Sequence, residues 1–356
     1  MAYASISKPS LHFEGKTYLG SSSAVTVSGL GFQPDWIWVK DRDNGNNHVL
    51  VDSVRGAGKF LQSNLANAQV NNSSQSISAF TSDGFTTGTA NPANEAASTT
   101  LGFMSWNWKA GTTGSGTTTG SGTGKAYSYS VNTTSGFSII KFLGNGTAGH
   151  TIPHHLGVAP DLVILKNLDT NNNWYVWGSS ASGIDVDKQL QLESTAAAYN
   201  PNGNYHNDTR PSSTVVTVGN DGGANGNDNN IILYTFASKK GFSKIGSYTG
   251  NGNADGTFVY TGFSPAFVMT KRTDSTSDWL ICDNKRPGYN VINKKLFPNL
   301  AQTEDSYDSF DFVSNGFKIR SAGTGHNASG GTFIYMAFAA EPLVANVGQS
   351  IPATAK

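Results

Sequence analysis

Hydrolysis of a sugar or peptide bond needs acids, bases or nucleophiles at set spacings, and few residues of this chain qualify. A glycoside hydrolase holds two carboxyl groups about 5–10 Å apart across the scissile bond. The five glutamates, Glu14, Glu95, Glu193, Glu304 and Glu341, are too dispersed for any two to share a strand, and no Glu-x-Asp-x-x-Glu strand occurs. A Gly-x-Ser-x-Gly elbow, a phosphate loop and a His-Glu-x-x-His helix are missing as well. Asp52 with Arg55, and Asp283 with Arg286, read as turn-fixing ion pairs. Asp41-Arg-Asp43-Asn-Gly45 and the stretch from Asn220 to Asp228 are rich in oxygen, but the first lacks the glycine and glutamate of an EF-hand loop and both fit hairpin chemistry. His150, His154 and His155 read as a turn beside Pro153. The sequence therefore assigns no catalytic residue, no metal ligand and no cofactor. The candidates for ligand binding are His48, Trp174, Trp177, Tyr205 and His206, polar and aromatic residues taken as specific to one stretch of chain. Aromatic faces and amides suit a glycan, and equally the rim of a protein interface.

Composition narrows the class. The chain has 356 residues, enough for two or three domains. Lys plus Arg equals Asp plus Glu at 24 each, so no field draws in a polyanion, and nucleic acid is not an expected partner. Only 13% of residues are charged while Gly reaches 41, so amides and hydroxyls must wet the surface. Cys282, the single cysteine, has no disulfide partner in the chain. No run of 18 apolar residues occurs and the start lacks a basic and apolar leader, so the expectation is a soluble protein without membrane insertion.

The elements that would position these residues repeat. Gly31-Phe-Gln-Pro-Asp-Trp-Ile-Trp-Val-Lys40 returns as Gly157-Val-Ala-Pro-Asp-Leu-Val-Ile-Leu-Lys166 and as Gly262-Phe-Ser-Pro-Ala-Phe-Val-Met-Thr-Lys271. Gly20, Gly144 and Gly250 precede the prolines Pro34, Pro160 and Pro265, and Trp108, Phe236 and Phe338 follow at nearly constant distance. A period near a hundred residues is that of a small domain, not of a solenoid. Short apolar runs divided by Gly, Asn, Asp and Ser give strands and turns, hence an all-β chain of three tandem antiparallel β-sandwich domains. Helical turns are expected at most over 60–68 and 188–198. Leu162-Val-Ile-Leu165 and Trp36-Ile-Trp-Val39 are apolar on both faces, as strands of a two-sheet sandwich. Asp83-Gly84-Phe85 and Asn315-Gly316-Phe317 fit hairpin turns with positive φ at glycine.

The expected domains are 1–110 with an N-terminal arm, 125–238 and 239–341. A flexible Gly/Thr/Ser linker spans 111–124, and a C-terminal arm spans 342–356. Trp106, Trp108, Trp36 and Trp38 recur as other large apolar residues, so they belong to the core.

Tyr18-x-Gly20, Gly31-Phe-x-Pro-Asp-x-x-x-x-Lys40, Asp52-Ser-Val-Arg-Gly56, Ser82-Asp-Gly-Phe85, Trp106-Asn-Trp-Lys-Ala110, Gly246-Ser-Tyr-Thr-Gly-Asn-Gly252 and Asn327-Ala-Ser-Gly-Gly-Thr-Phe-Ile-Tyr-Met-Ala-Phe338 resemble a module of tailed-bacteriophage virion proteins. The likeness covers nearly the whole chain. It implies concanavalin A-like jelly rolls, a place in the virion, and a structural role in a tail fibre or exposed appendage for assembly or host attachment without catalysis. A head decoration protein, a glycan-binding lectin and a glycan depolymerase are the alternatives. Expected partners are other virion proteins, further copies of the chain and a host-surface glycan.

Overall fold

The structure, a computed structural model, describes residues 4–287 and 289–342. The chain is all-β, with 43% strand against 5% helix and no barrel. In each copy of the repeat, four antiparallel strands pair in the same order. Phe13–Tyr18 lies beside Phe103–Trp108, then Trp36–Asp41, then Val49–Asp52. The second copy uses Phe137–Leu143, Asn230–Phe236, Leu162–Asn167 and Tyr175–Trp177, and the third Ser243–Thr249, Thr332–Pro342, Phe263–Arg272 and Leu280–Asp283. Each of these sheets packs on a second one, three-stranded in the first two copies (Thr26–Ser28, Gly84–Thr87 and Ile77–Thr81 in the first) and four-stranded in the third. Pro34 and Pro160 stand two residues ahead of their strands. Pro265 lies inside its strand at a register shift, where a residue without an N–H is tolerated.

Successive side chains of a strand point to opposite faces. Ile37 and Val39 pack toward the second sheet of their own copy, as do Val163 and Leu165 in the second and Val268 in the third. Trp36, Trp38, Leu162, Ile164, Phe267 and Met269 point the other way, into a single core built from all three copies. The expected sandwich thus covers only one face of each central strand, and the neighbouring copies cover the second. Trp36 stacks on Tyr234 with ring centres 4.6 Å apart, Phe13 on Phe338 at 4.9 Å, and Phe236 meets Phe338 edge-on at 6.1 Å. Trp36, Trp38, Trp106 and Trp108 are at most 1% exposed. At about 1.5–3 kcal/mol for each large side chain taken from water, this shared core is a main source of stability.

Three further expectations change. The segment 111–124 is not a free linker, because Thr112–Thr117 pairs residue for residue with 126–131 and extends the second large sheet. Gly114 and Gly116 make this pairing possible: a Cβ there would stand 2.6 Å from the Tyr129 hydroxyl and 2.8 Å from that of Tyr127, whose rings lie across the strand. The hairpins at 81–84 and 313–316 form, but not through positive φ. An added Cβ would reach 1.9 Å from the Val27 carbonyl oxygen at Gly84 and 2.1 Å from that of Val259 at Gly316, so close strand approach excludes other residues. The stretches 60–68 and 188–198 hold turns and short bridges without helix.

Of the N-terminal arm, Ala4, Ile6 and Pro9 are buried and the Ser5 amide donates to the Lys240 carbonyl oxygen at 2.9 Å, so the segment docks on the chain itself. Beyond Pro342, the expected C-terminal arm lies outside the described residues.

A core shared by three copies should melt as one. Scanning calorimetry is expected to give a single transition, and Trp108→Ala to cost about 3–5 kcal/mol and move the whole transition down. Three separate transitions would contradict the shared core.

Candidate functional site

The seams between copies are built from matched positions. At the first, the Gln69 amide donates to the Leu168 carbonyl oxygen at 2.8 Å. At the second, Ala198 donates to Thr273 at 2.8 Å, and at the third, Glu304 donates to Arg42 at 3.0 Å. Copy one therefore bonds to two, two to three, and three to one, which closes a ring.

Two of the candidate ligand residues lie in these seams. His48, Trp174 and Trp279 each stand 14 residues after their motif proline. Trp174 Nε1 donates to the carbonyl oxygens of Gln62 and Leu65, both at 3.1 Å, and Trp279 Nε1 to that of Gln191 at 2.9 Å. Trp38 Nε1 donates to His48 Nδ1 at 2.8 Å, which leaves the histidine proton on Nε2, directed at the carbonyl oxygens of Phe297 and Leu300 at 2.9 and 3.2 Å. Burial, with the charge of Lys40, pushes the His48 pKa down to about 3, so the ring is neutral. His48 and Trp174 are wholly buried, and therefore bind neighbouring copies and not a soluble ligand. The equal distance of His48, Trp174 and Trp279 from the motif prolines is the sequence signal that marks the three as one repeat position.

Trp177 is 2% exposed and occupies the core position held by Val51 and Cys282. His206, 1% exposed, stacks against it with ring centres 5.6 Å apart. Tyr205 is half-buried on Tyr175 at 4.1 Å. These three consolidate the second copy, and they do not join His48 or Trp174 in one site.

The Asp-x-x-Arg pairs do more than fix turns. Arg55 Nε donates to Asp52 Oδ2, and Tyr234 of the second copy donates its hydroxyl to the same oxygen at 2.7 Å. Arg286 Nε donates to Asp283 Oδ2 at 2.7 Å, and Trp106 of the first copy donates to that oxygen at 3.0 Å. Tyr234, Trp106 and Met336 occupy one repeat position. The second copy, with Gly178 and Ala181 in place of the acid and base, would face the residue that has no donor, Met336. Both halves of the contact are absent at this seam.

Sequence reasoning missed Asn94, Asn225 and Asn327. Each side-chain oxygen accepts the amide that follows a repeated glycine, from Ser21 at 2.8 Å, Asn145 at 3.0 Å and Asn251 at 3.0 Å. This explains Gly20, Gly144 and Gly250, where a Cβ would lie 2.0–2.3 Å from the backbone oxygen just past the asparagine. Asp41 accepts from Asn46, Ser98 and the amides of Asp43 and Asn44, so its oxygens are occupied by protein donors. His150 bonds Asn225, His154 the Ser212 carbonyl oxygen, and His155 stacks on Tyr129. Among the described residues no three His, Cys, Asp or Glu side chains gather as metal ligands would.

An open cavity of about 270 Å³ on the third copy is the candidate binding site. Ser277, Asp278, Lys295, Phe297, Tyr307 and His326 line it. The Lys295 ammonium lies 4.8 Å from the centre of the Tyr307 ring, which is 51% exposed, and 3.1 Å from Asp305. His326 is buried, its Nε2 has no partner among the described residues, and burial lowers its pKa to about 4. Aromatic faces, a cation and a neutral imidazole can hold a small polar ligand by stacking and hydrogen bonds.

The motif lysines Lys40, Lys166 and Lys271 are also fully buried, and their ammonium groups donate to backbone carbonyl oxygens, those of Asp41, Asn167 and Arg272 among them. Burial lowers each pKa to about 8. Between about pH 8 and the ordinary lysine value these lysines bind more protons in the unfolded chain than in the folded one, so their contribution to stability rises with pH across that window, opposed from about pH 9 upward by the buried Cys282 thiol, which burial pushes up to about 12. Urea unfolding at about pH 7.5 and about pH 9.5 is expected to show the rise, and Lys166→Met to flatten part of it. Tyr234→Phe, which strips a buried donor from Asp52, should cost about 1–3 kcal/mol in the same assay.

No curated protein and no solved structure matches the chain. One family model, described as a domain of unknown function (DUF7483), matches residues 8–342. That span takes in all three copies, the same extent as the ring of contacts, and the chain belongs to the DUF7483 family.

Proposed function

We propose that this chain is a non-catalytic structural protein of a tailed-phage virion, a tail fibre or exposed appendage that serves assembly and host-surface attachment. The observation that carries this reading is the locked ring: the recurring polar side chains join the copies to one another around one shared core. The two packed sheets of each copy support reading the copies as jelly rolls, and the repeated motifs resemble those of virion modules. The edge strand Thr112–Thr117 is solvent-exposed and offers unpaired backbone groups to another virion protein or to a second copy of the chain. Such a protein works in the virion after assembly in the host cytoplasm. Mass spectrometry and electron microscopy of purified virions are expected to find the chain at stoichiometric copy number in an external position. Its absence from the particle would refute the reading, and a place on the capsid shell would make it a head decoration protein.

The cavity on the third copy favours a second reading, a lectin. Glycan-array binding that is lost in Tyr307→Ala would support it, and unchanged binding in that variant would place any sugar contact elsewhere.

A further inference from the structure

The ring allows each seam to be compared with the next. At the seam of copies three and one, Glu304 is a buried internal carboxylate. Arg42 Nε and Nη2 hold it at 2.8 and 3.0 Å, and Arg286 Nη1 at 3.2 Å. Burial opposes ionisation there, but the hydrogen bonds and charges of Arg42 and Arg286 hold the Glu304 pKa below the ordinary glutamate value.

At the seam of copies one and two the same places are taken by other residues. Gln69 makes the backbone bond that Glu304 makes, Leu168 replaces Arg42, and Arg55 replaces Arg286. Arg55 keeps its partner Asp52, yet its Nη1 reaches only Gln69 Oε1, at 3.4 Å. The Gln69 amide nitrogen turns away to Asn71 at 2.8 Å. Where the missing arginine and carboxylate would stand there is a cavity of about 200 Å³ with mainly polar walls. Lys59 and Lys141 line it beside Arg55, and Asp169 is its one acidic residue, already accepting the Asn230 amide at 2.6 Å.

We propose that this cavity is a binding site for a small carboxylate, of uronic-acid size or less, whose oxygens take the place that Glu304 fills at the neighbouring seam. Arg55 and the two lysines supply charge-assisted donors, and Asn71 supplies an amide for an adjoining hydroxyl, while the Asn230 side-chain amide is held by Asp169 at 3.1 Å. The site does not depend on the virion reading, because it rests on the seam alone.

Calorimetric titration of the full chain with sodium galacturonate, with galactose and matched sodium chloride as controls, tests this. Saturable binding of galacturonate and none of galactose are expected. Lys59→Ala and Lys141→Ala should each weaken binding about tenfold. Gln69→Glu should restore the internal carboxylate, abolish galacturonate binding and raise the melting temperature of the free protein. Thermal unfolding of each variant shows that it is folded. The proposal is overturned by an absence of saturable binding to the wild type, by equal binding of galactose, or by undiminished binding in folded Gln69→Glu.

Discussion

Everything in this fold follows from sheets that are apolar on both faces. A two-layer sandwich hides one face of its large sheet and leaves the other in water, and here that second face carries tryptophans and phenylalanines. One copy alone would expose a wide hydrophobic patch of the kind that drives association. Three copies on one polypeptide remove it by turning those faces toward a common axis, with the chain itself setting the effective concentration of each partner. The hydrophobic term is non-directional, so it brings the copies together without fixing how they sit.

Direction comes from the seams. Indole and imidazole N–H groups reach backbone carbonyl oxygens of the next copy, and buried Asp–Arg pairs accept a hydroxyl or indole proton from another. These groups are expensive to bury without partners, so a slip in register would strand several at once. The three buried motif lysines add a further cost, met only in part by carbonyl oxygens. The arrangement trades some stability at neutral pH for a defined geometry.

Much of this was legible in the sequence. The motif around Pro34, Pro160 and Pro265 gave the copies, and the run Trp36-Ile-Trp-Val39 gave strands covered on both sides. The recurrence of Trp106 as Tyr234 and Met336 marked a core position. What covers the second face was not legible, since periodicity records that a side is buried and not by whom. His48 and Trp174 read as separate ligand-binding candidates because a histidine and an indole share no obvious chemistry until each is found donating a ring N–H to a carbonyl oxygen. The Gly/Thr/Ser run at 111–124 has linker composition, and only the tyrosines opposite it, Tyr127 and Tyr129, distinguish a strand from a tether. Asn94, Asn225 and Asn327 are single amides in an asparagine-rich chain, visible only through the loops they clamp.

The unequal seams carry a consequence for how such a protein can change. A symmetric trimer of identical subunits must alter all its contacts together, whereas here Met336 and Gly178 mark a junction without the lock that its two neighbours carry. With each boundary chemically distinct, the order of copies around the axis is written into the side chains, so shuffling the segments would strand Tyr234 or Trp106 opposite the wrong surface. The repeats share a fold but not their boundary residues, which leaves each boundary free to carry a task of its own.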